Sequence, residues 1–221
     1  MKKIILSAFI FVMTMTTNTF ADIKMGIILG FTGPIESLTP AMAASAELAF
    51  KEASDSGSLL GGKRISVERA DSTCVDSAAA TSAAEGLVSG GVVAIMGADC
   101  SGVTGAIAKN VAVPNGVVMI SPSATSPGLT DLDDRGFFFR TAPSDARGGQ
   151  ILADITKDRK IKSVAITYTN NDYGKGLADV YAAACEAHGI KVTTSAAHED
   201  GKADYSAEEL HLLQQVEMPL Q

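Results

Sequence analysis

Hydroxyl groups crowd one stretch of this chain, VVMISPSATSPGLTD at residues 117–131. Ser121, Ser123, Thr125 and Ser126 follow directly on an apolar run, with Pro122 and Pro127 set among them. Each hydroxyl can donate and accept a hydrogen bond. Each proline holds its backbone in a single φ well, so carbonyls in 121–127 can face an ammonium group without further ordering cost. A second segment, GADCSG at 97–102, also ends an apolar run. It offers the Ser101 hydroxyl and, from Gly102 onward, the free N–H groups of a helix start, which suit a carboxylate. Hydroxyls, amides and carbonyls with no cationic side chain among them match a small zwitterion. Taken singly, each residue is equally a turn former or helix cap. Their placement as a set is what points to a binding site.

That placement depends on the elements around them. Apolar runs at 23–29, 91–97 and 117–120, and strand-like segments at 64–70, 136–142, 163–169 and 190–196, alternate with Ala-rich amphipathic stretches. Thr39 and Pro40 predict a helix to about Ser56, with Thr39 as its N-cap and proline in the first turn. Asp76 caps a helix over the following Ala-rich segment, and a short helix covers about 102–111. Ser144 and Asp145 cap a helix to about Arg159, and a further helix covers 174–188. Strand–helix alternation with continuous apolar strands predicts an α/β fold, its parallel sheet covered by helices on both faces. Ligands in such sheets bind beyond the carboxyl ends of the strands. The loops at 30–37, 71–74, 97–102 and 121–130 all fall on that edge. In TNNDYGKGLAD, at 169–179, Tyr173 offers an aromatic face and a hydroxyl at the carboxyl end of the strand 163–169. The plain alternative there is a loop leading into a helix, with Asp172 as cap.

The chain has 221 residues, enough for one domain or two modest ones, and a formal net charge of −7 without basic clusters. That balance argues against nucleic acid or an anionic membrane surface as partner. Lys2 and Lys3, a short apolar run at 4–13 and the small residues around Phe20 predict a cleaved signal peptide at 1–21, since the run is too short for the roughly 20 residues of a membrane span. Export permits disulfides. Cys74 and Cys100 sit in loop-like settings and Cys185 in a helical run, so Cys74 pairs with Cys100 and Cys185 becomes a small core residue. Zinc is disfavoured, because no CxxC occurs and His188, His198 and His211 lie far downstream.

Catalytic signatures are missing from the sequence: no Gly-x-Ser-x-Gly elbow, no phosphate-binding Gly-x-x-x-x-Gly-Lys loop and no His-Glu-x-x-His. An exported hydrolase is disfavoured for want of a nucleophile–base pair. GPI in the first loop, DSTCVDSAAA, GADCSG, VVMISPSATSPGLT, FFFRTAPSD, NNDYGKGLAD and ADYSAE occur in that order over residues 23 to about 207. In these segments the chain resembles the periplasmic leucine/isoleucine/valine-binding proteins of ABC transporters. The resemblance implies a type I periplasmic-binding-protein fold, α/β, with two doubly wound parallel-sheet lobes closing on an amino acid, and again a Cys74–Cys100 disulfide. It assigns 22–142 to the N-terminal lobe and 143–221 to a partial C-terminal lobe. Carried over by position, Ser101 and Thr125 bind the ligand carboxylate, and Thr125 also helps hold the ammonium. The Ser123 carbonyl accepts from that ammonium, Tyr173 presses from the second lobe, and Leu38 stands where relatives carry an aromatic residue.

The implied function is capture of a branched-chain amino acid (leucine, isoleucine or valine), without chemistry, cofactor or metal.

 The protein would work as a monomer in the periplasm, delivering its amino-acid ligand to a permease with a cytoplasmic ATPase. A sensor or receptor module of the same fold, for an amide, urea or another small polar ligand, is the alternative. After ADYSAEEL, the segment HLLQQVEMPLQ fits no continuation of the strand–helix pattern. A shortened or frame-shifted copy with an incomplete second lobe and impaired capture is therefore expected.

Overall fold

Residues 22–215 are described by a computed structural model. The expected signal peptide at 1–21 and the last residues, 216–221, lie outside them. Continuous apolar sequence produces an interior strand, β1 (Ile23–Leu29), in which Ile27, Ile28 and Leu29 are fully buried. It pairs in parallel with β2 (Ile65–Asp71) on one side and β3 (Ala94–Gly97) on the other. Strands β4 (Val118–Ser121) and β5 (Phe138–Arg140) extend the sheet, giving the order β2-β1-β3-β4-β5, all parallel.

Side-chain alternation sends Ile28, Ile95, Met119 and Phe138 to one face of this sheet. There they pack against Ala80, Ala84 and Leu87 of α2 (Ser77–Ser89) and Val103 and Ile107 of α3 (Ser101–Ile107). Ile27 and Leu29 point to the other face, toward Ala43, Met42 and Phe50 of α1 (Thr39–Asp55). Alanine favours the helix and lets its backbone approach the strands closely, which suits the Ala-rich composition of these helices. Truncating one of these fully buried residues, such as Ile27, to alanine should cost about 2–5 kcal/mol.

The chain then builds α4 (Ala146–Asp158), β6 (Ser163–Thr169), α5 (Asp172–Ala187), β7 (Lys191–His198) and α6 (Ser206–Gln215). Here β6 and β7 form a parallel sheet of two strands. Ala153 of α4, Cys185 of α5 and Ile190 make the small core beside it. Cys185 is free and buried, as its helical setting predicted.

Several local expectations change. Thr39 is not the cap of α1 but its first helical residue, with Leu38 in the N-cap position. Its buried hydroxyl turns back to donate to Gly30 O (3.1 Å) and Glu36 O (3.3 Å), tying the helix start to the end of β1. Asp76 caps α2 as expected, accepting from the N–H groups of Ala78 and Ala79 at 2.9 Å each. The run 91–97 yields strand only from Ala94, because Gly91 turns the chain through a positive φ of 88°. Asp172 lies inside α5, and Asn171 caps it through a 2.9 Å bond from Gly174 N. Asp145 makes no side-chain cap for α4 because its carboxylate is engaged elsewhere, and Ser144 Oγ accepts from Ala146 N instead. The segment from His211 was not expected to continue the pattern, yet His211–Gln215 complete α6, which lies against β6 and β7. Asp204 accepts from Ser206 N at 2.9 Å and stabilises that helix start.

Candidate ligand-binding site

The four loops at the carboxyl edge of the five-stranded sheet converge on Asp99, which is only 3% exposed. Its Oδ2 accepts from Gly30 N (2.8 Å), and its Oδ1 accepts from Cys100 N (3.0 Å) and Ser72 Oγ (3.3 Å). Its main-chain oxygen accepts from Ser123 Oγ at 2.9 Å. One residue thus joins the loops after β1, β2, β3 and β4. The Cys74–Cys100 disulfide reinforces the same junction, with a Cα–Cα distance of 5.2 Å. Gly97, which leads into it, has a φ of 136°, and a Cβ there would sit 2.0 Å from Ile28 O, so only glycine fits.

Asp71 secures the outer loops by accepting from Thr32 Oγ1 (2.6 Å) and Thr73 N (2.8 Å). Burial works against its charge. Hydrogen bonds from the Thr32 hydroxyl and from the main-chain N–H groups of Thr73, Thr32 and Phe31 outweigh that effect and hold the carboxyl below the ordinary range.

In the hydroxyl-rich loop most polar groups already have partners. Ser121 Oγ donates to Ala98 O and accepts from Ala124 N, and Ser101 Oγ accepts from Ser126 N at 3.1 Å. Thr125 Oγ1 donates to Asp145 Oδ2 at 2.6 Å. The expectation of a site without cations needs correcting. Arg140, at the end of β5, donates through Nη1 to Ala124 O (3.3 Å) and Ser126 O (2.8 Å), and through Nη2 to Thr130 Oγ1 (2.6 Å). The carbonyls of Ser121, Pro122, Thr125 and Pro127 accept from Thr141 N, Thr141 Oγ1, Asp145 N and Thr130 N. Among the described residues, Ser123 alone in 121–127 keeps a carbonyl that no protein group engages.

The two-stranded half meets this edge directly. Ser126 Oγ donates to Asp172 O at 3.0 Å, and a Cβ added at Gly176 would lie 2.8 Å from Ser126 Oγ. A cavity of about 320 Å³ lies between α3, the turn at 127–129 and α5, lined by Ser101, Ser126, Lys109, Asp172 and Lys175 among others. Ser123 and Thr125 share the loop that borders it. Tyr173, 48% exposed, and Leu38, 60% exposed, do not line it. Among the described residues no group of three or more His, Cys, Asp or Glu side chains could hold a metal ion. His188 pairs with Asp154 (2.7 Å) and His198 contacts Thr167 (2.7 Å), both away from the hydroxyl-rich edge.

Sequence reasoning missed Asp99 and Arg140. A lone acid directly after a buried strand, and a lone base ending an edge strand, were the signals that could have found them.

A sequence model of the family described as "Periplasmic binding protein" matches residues 22–216. The chain belongs to this family. Among the periplasmic binding proteins it is 32% identical over 191 residues to the Leu/Ile/Val-binding protein homolog 3 of Brucella melitensis, covering 85% of this chain and 50% of that protein. It is 34% identical over 190 residues to the Leu/Ile/Val-binding protein BraC3 of Rhizobium johnstonii, with the same coverage. A solved structure of the branched-chain amino acid transporter substrate binding protein LivJ from Streptococcus pneumoniae, in complex with isoleucine, superposes with a TM-score of 0.71. Identity to it is 28%, over 87% of this chain and 54% of that one. The type I periplasmic-binding fold is therefore present with its second half incomplete, and the chain spans about half the length of the relatives it matches.

Proposed function

We propose that this chain is a substrate-binding component of an ABC transporter for branched-chain amino acids, working in the periplasm after loss of residues 1–21. Residues 22–142 form one lobe of the clamp, and the chain from 143 onward belongs to the other. A permease with a cytoplasmic ATPase receives the ligand.

The single observation that carries this reading is the free Ser123 carbonyl in a loop whose other carbonyls are engaged. It is suited to an ammonium N–H. Thr125 Oγ1 gives its proton to Asp145 and so keeps lone pairs for the same ammonium. Ser101 Oγ accepts from Ser126 N and retains its own proton for a carboxylate oxygen. The Thr125 main-chain N–H, which has no acceptor among the described residues, is a second donor to that carboxylate. Tyr173 closes from the other half, and Leu38 lies along the ligand side chain. The names of the relatives, Leu/Ile/Val-binding proteins, support an aliphatic side chain there.

Isothermal titration with L-leucine, L-isoleucine, L-valine, D-leucine, acetamide and urea tests this. Binding of the three L-amino acids with rejection of D-leucine and the amides is expected. Equal heats from amides and amino acids would refute a zwitterion site.

A further inference from the structure

We propose that Ser126 and Gly176 together fix how closely the second half of the chain approaches the hydroxyl-rich loop, and so place Tyr173 against the ligand. The role of Tyr173 is taken from the ligand reading above; the contact between the halves does not depend on it.

Every polar group of Ser126 is committed, each to a different element. Its N–H donates to Ser101 Oγ at 3.1 Å, its carbonyl accepts from Arg140 Nη1 at 2.8 Å, and its hydroxyl donates to Asp172 O at 3.0 Å. The first bond reaches the start of α3 and the second the end of β5, while the third crosses to the first turn of α5. Ser126 is 5% exposed, and a buried residue held at three points cannot shift without leaving a partner unpaired. Pro127 beside it is a closed ring with a fixed φ. The loop therefore offers α5 a surface with little give.

Facing that surface, α5 carries glycine. A Cβ at Gly176 would lie 2.8 Å from Ser126 Oγ and 2.9 Å from Pro127 Cδ, well inside the roughly 3.5–4.0 Å of an ordinary contact. Gly174, two positions earlier and so on nearly the opposite side of the helix, makes a similar approach to β6. A Cβ there would meet Thr169 O at 2.5 Å. The start of α5 is thus seated between the end of its own strand and the loop of the other half, with no flexible side chain on either side to absorb a displacement. Helix propensity does not explain Gly176, because a helix interior favours alanine over glycine.

Tyr173 stands three residues before Gly176 and shares its side of α5. A methyl group at 176 pushes this turn off the loop by roughly 0.7 Å, the shortfall between 2.8 Å and ordinary contact. Tyr173 moves with it. Ser126 also holds Ser101, so one residue ties the carboxylate-binding hydroxyl to the helix that brings the aromatic ring.

Titration calorimetry with L-leucine on the full chain, beside urea unfolding, tests this. Gly176→Ala should raise the leucine dissociation constant on the order of tenfold, while the urea midpoint does not fall. Ser126→Ala keeps the N–H to Ser101 and should raise the constant about three- to tenfold. In a Tyr173→Ala background Gly176→Ala should cost less than about twofold, because the group it displaces is gone. A merely structural effect would persist there in full. The contact has a separate readout that needs no ligand. Ser126→Cys with Gly176→Cys, in a chain also carrying Cys185→Ala, should form a disulfide under mild oxidation, since the two positions stand within the span of one. Unchanged leucine affinity in Gly176→Ala, or a cost fully retained without Tyr173, would overturn the positioning role. Failure of 126 and 176 to cross-link would overturn the contact itself. A parent chain that takes up no leucine refutes the ligand reading instead, and the cross-link then decides the contact by itself.

Discussion

Asp99→Ala should be the most damaging single change at the ligand edge. The carboxylate accepts from Gly30 N at 2.8 Å, Cys100 N at 3.0 Å and Ser72 Oγ at 3.3 Å, and the residue is 3% exposed. Alanine leaves two main-chain N–H groups without acceptors in a space that water enters poorly. Each such orphan costs about 1–3 kcal/mol, and the long 3.3 Å bond from the buried Ser72 hydroxyl adds less. The sum is roughly 3–5 kcal/mol, a large share of the 5–15 kcal/mol typical of a whole domain. Asp99→Asn keeps one acceptor oxygen and should lose about half as much. Urea unfolding followed by circular dichroism measures both, with the midpoint shifting and the slope unchanged. A loss below about 1 kcal/mol for Asp99→Ala would show that the loops are held by the disulfide and the sheet, and that Asp99 is dispensable.

Arg140→Met should weaken amino-acid binding by on the order of tenfold while costing only about 1–2 kcal/mol of stability, because the half-exposed guanidinium positions the Ala124 and Ser126 carbonyls rather than filling a core. Titration calorimetry beside a urea melt separates the two effects. Replacing Cys74 and Cys100 by serine opens a loop of 26 residues and should cost about 3.5 kcal/mol by chain entropy, readable as a lowered melting temperature. Asp71 has a depressed folded pKa, so its stabilising contribution is present above its unfolded value of about 3.9 and is lost as pH falls through the folded value. Asp71→Asn should therefore flatten the acid limb of a stability–pH curve and leave its shape at neutral pH unaltered.

Much of the architecture is legible in local pattern. Continuous apolar runs become β1 and β4 because strands buried on both faces need no polar alternation. Asp76 before an Ala-rich run caps α2 because a free helix N–H lies within reach of any short acceptor side chain there. Thr39 looked like the same device and was not, because Gly30 O stood close enough to take its hydroxyl proton. The residues from His211 looked like a break in the pattern, yet 211–215 continue a helix for which the β6–β7 surface offers a place to pack.

The amino-acid sequence by itself determined the strand–helix order, the parallel sheet, the edge on which ligand groups gather and the pairing of Cys74 with Cys100. These follow from periodicity, cap chemistry and loop position, all encoded within a few residues of one another. Only the tertiary structure decided which of the gathered groups remain available. Arg140 consumes carbonyls 14 and 16 residues before it, Ser126 reaches Asp172 46 residues on, and Asp99 binds Gly30 across 69. Such partners are chosen by strand order and by the approach of the two halves, so a free Ser123 carbonyl can be seen only after every neighbouring group has found its own partner.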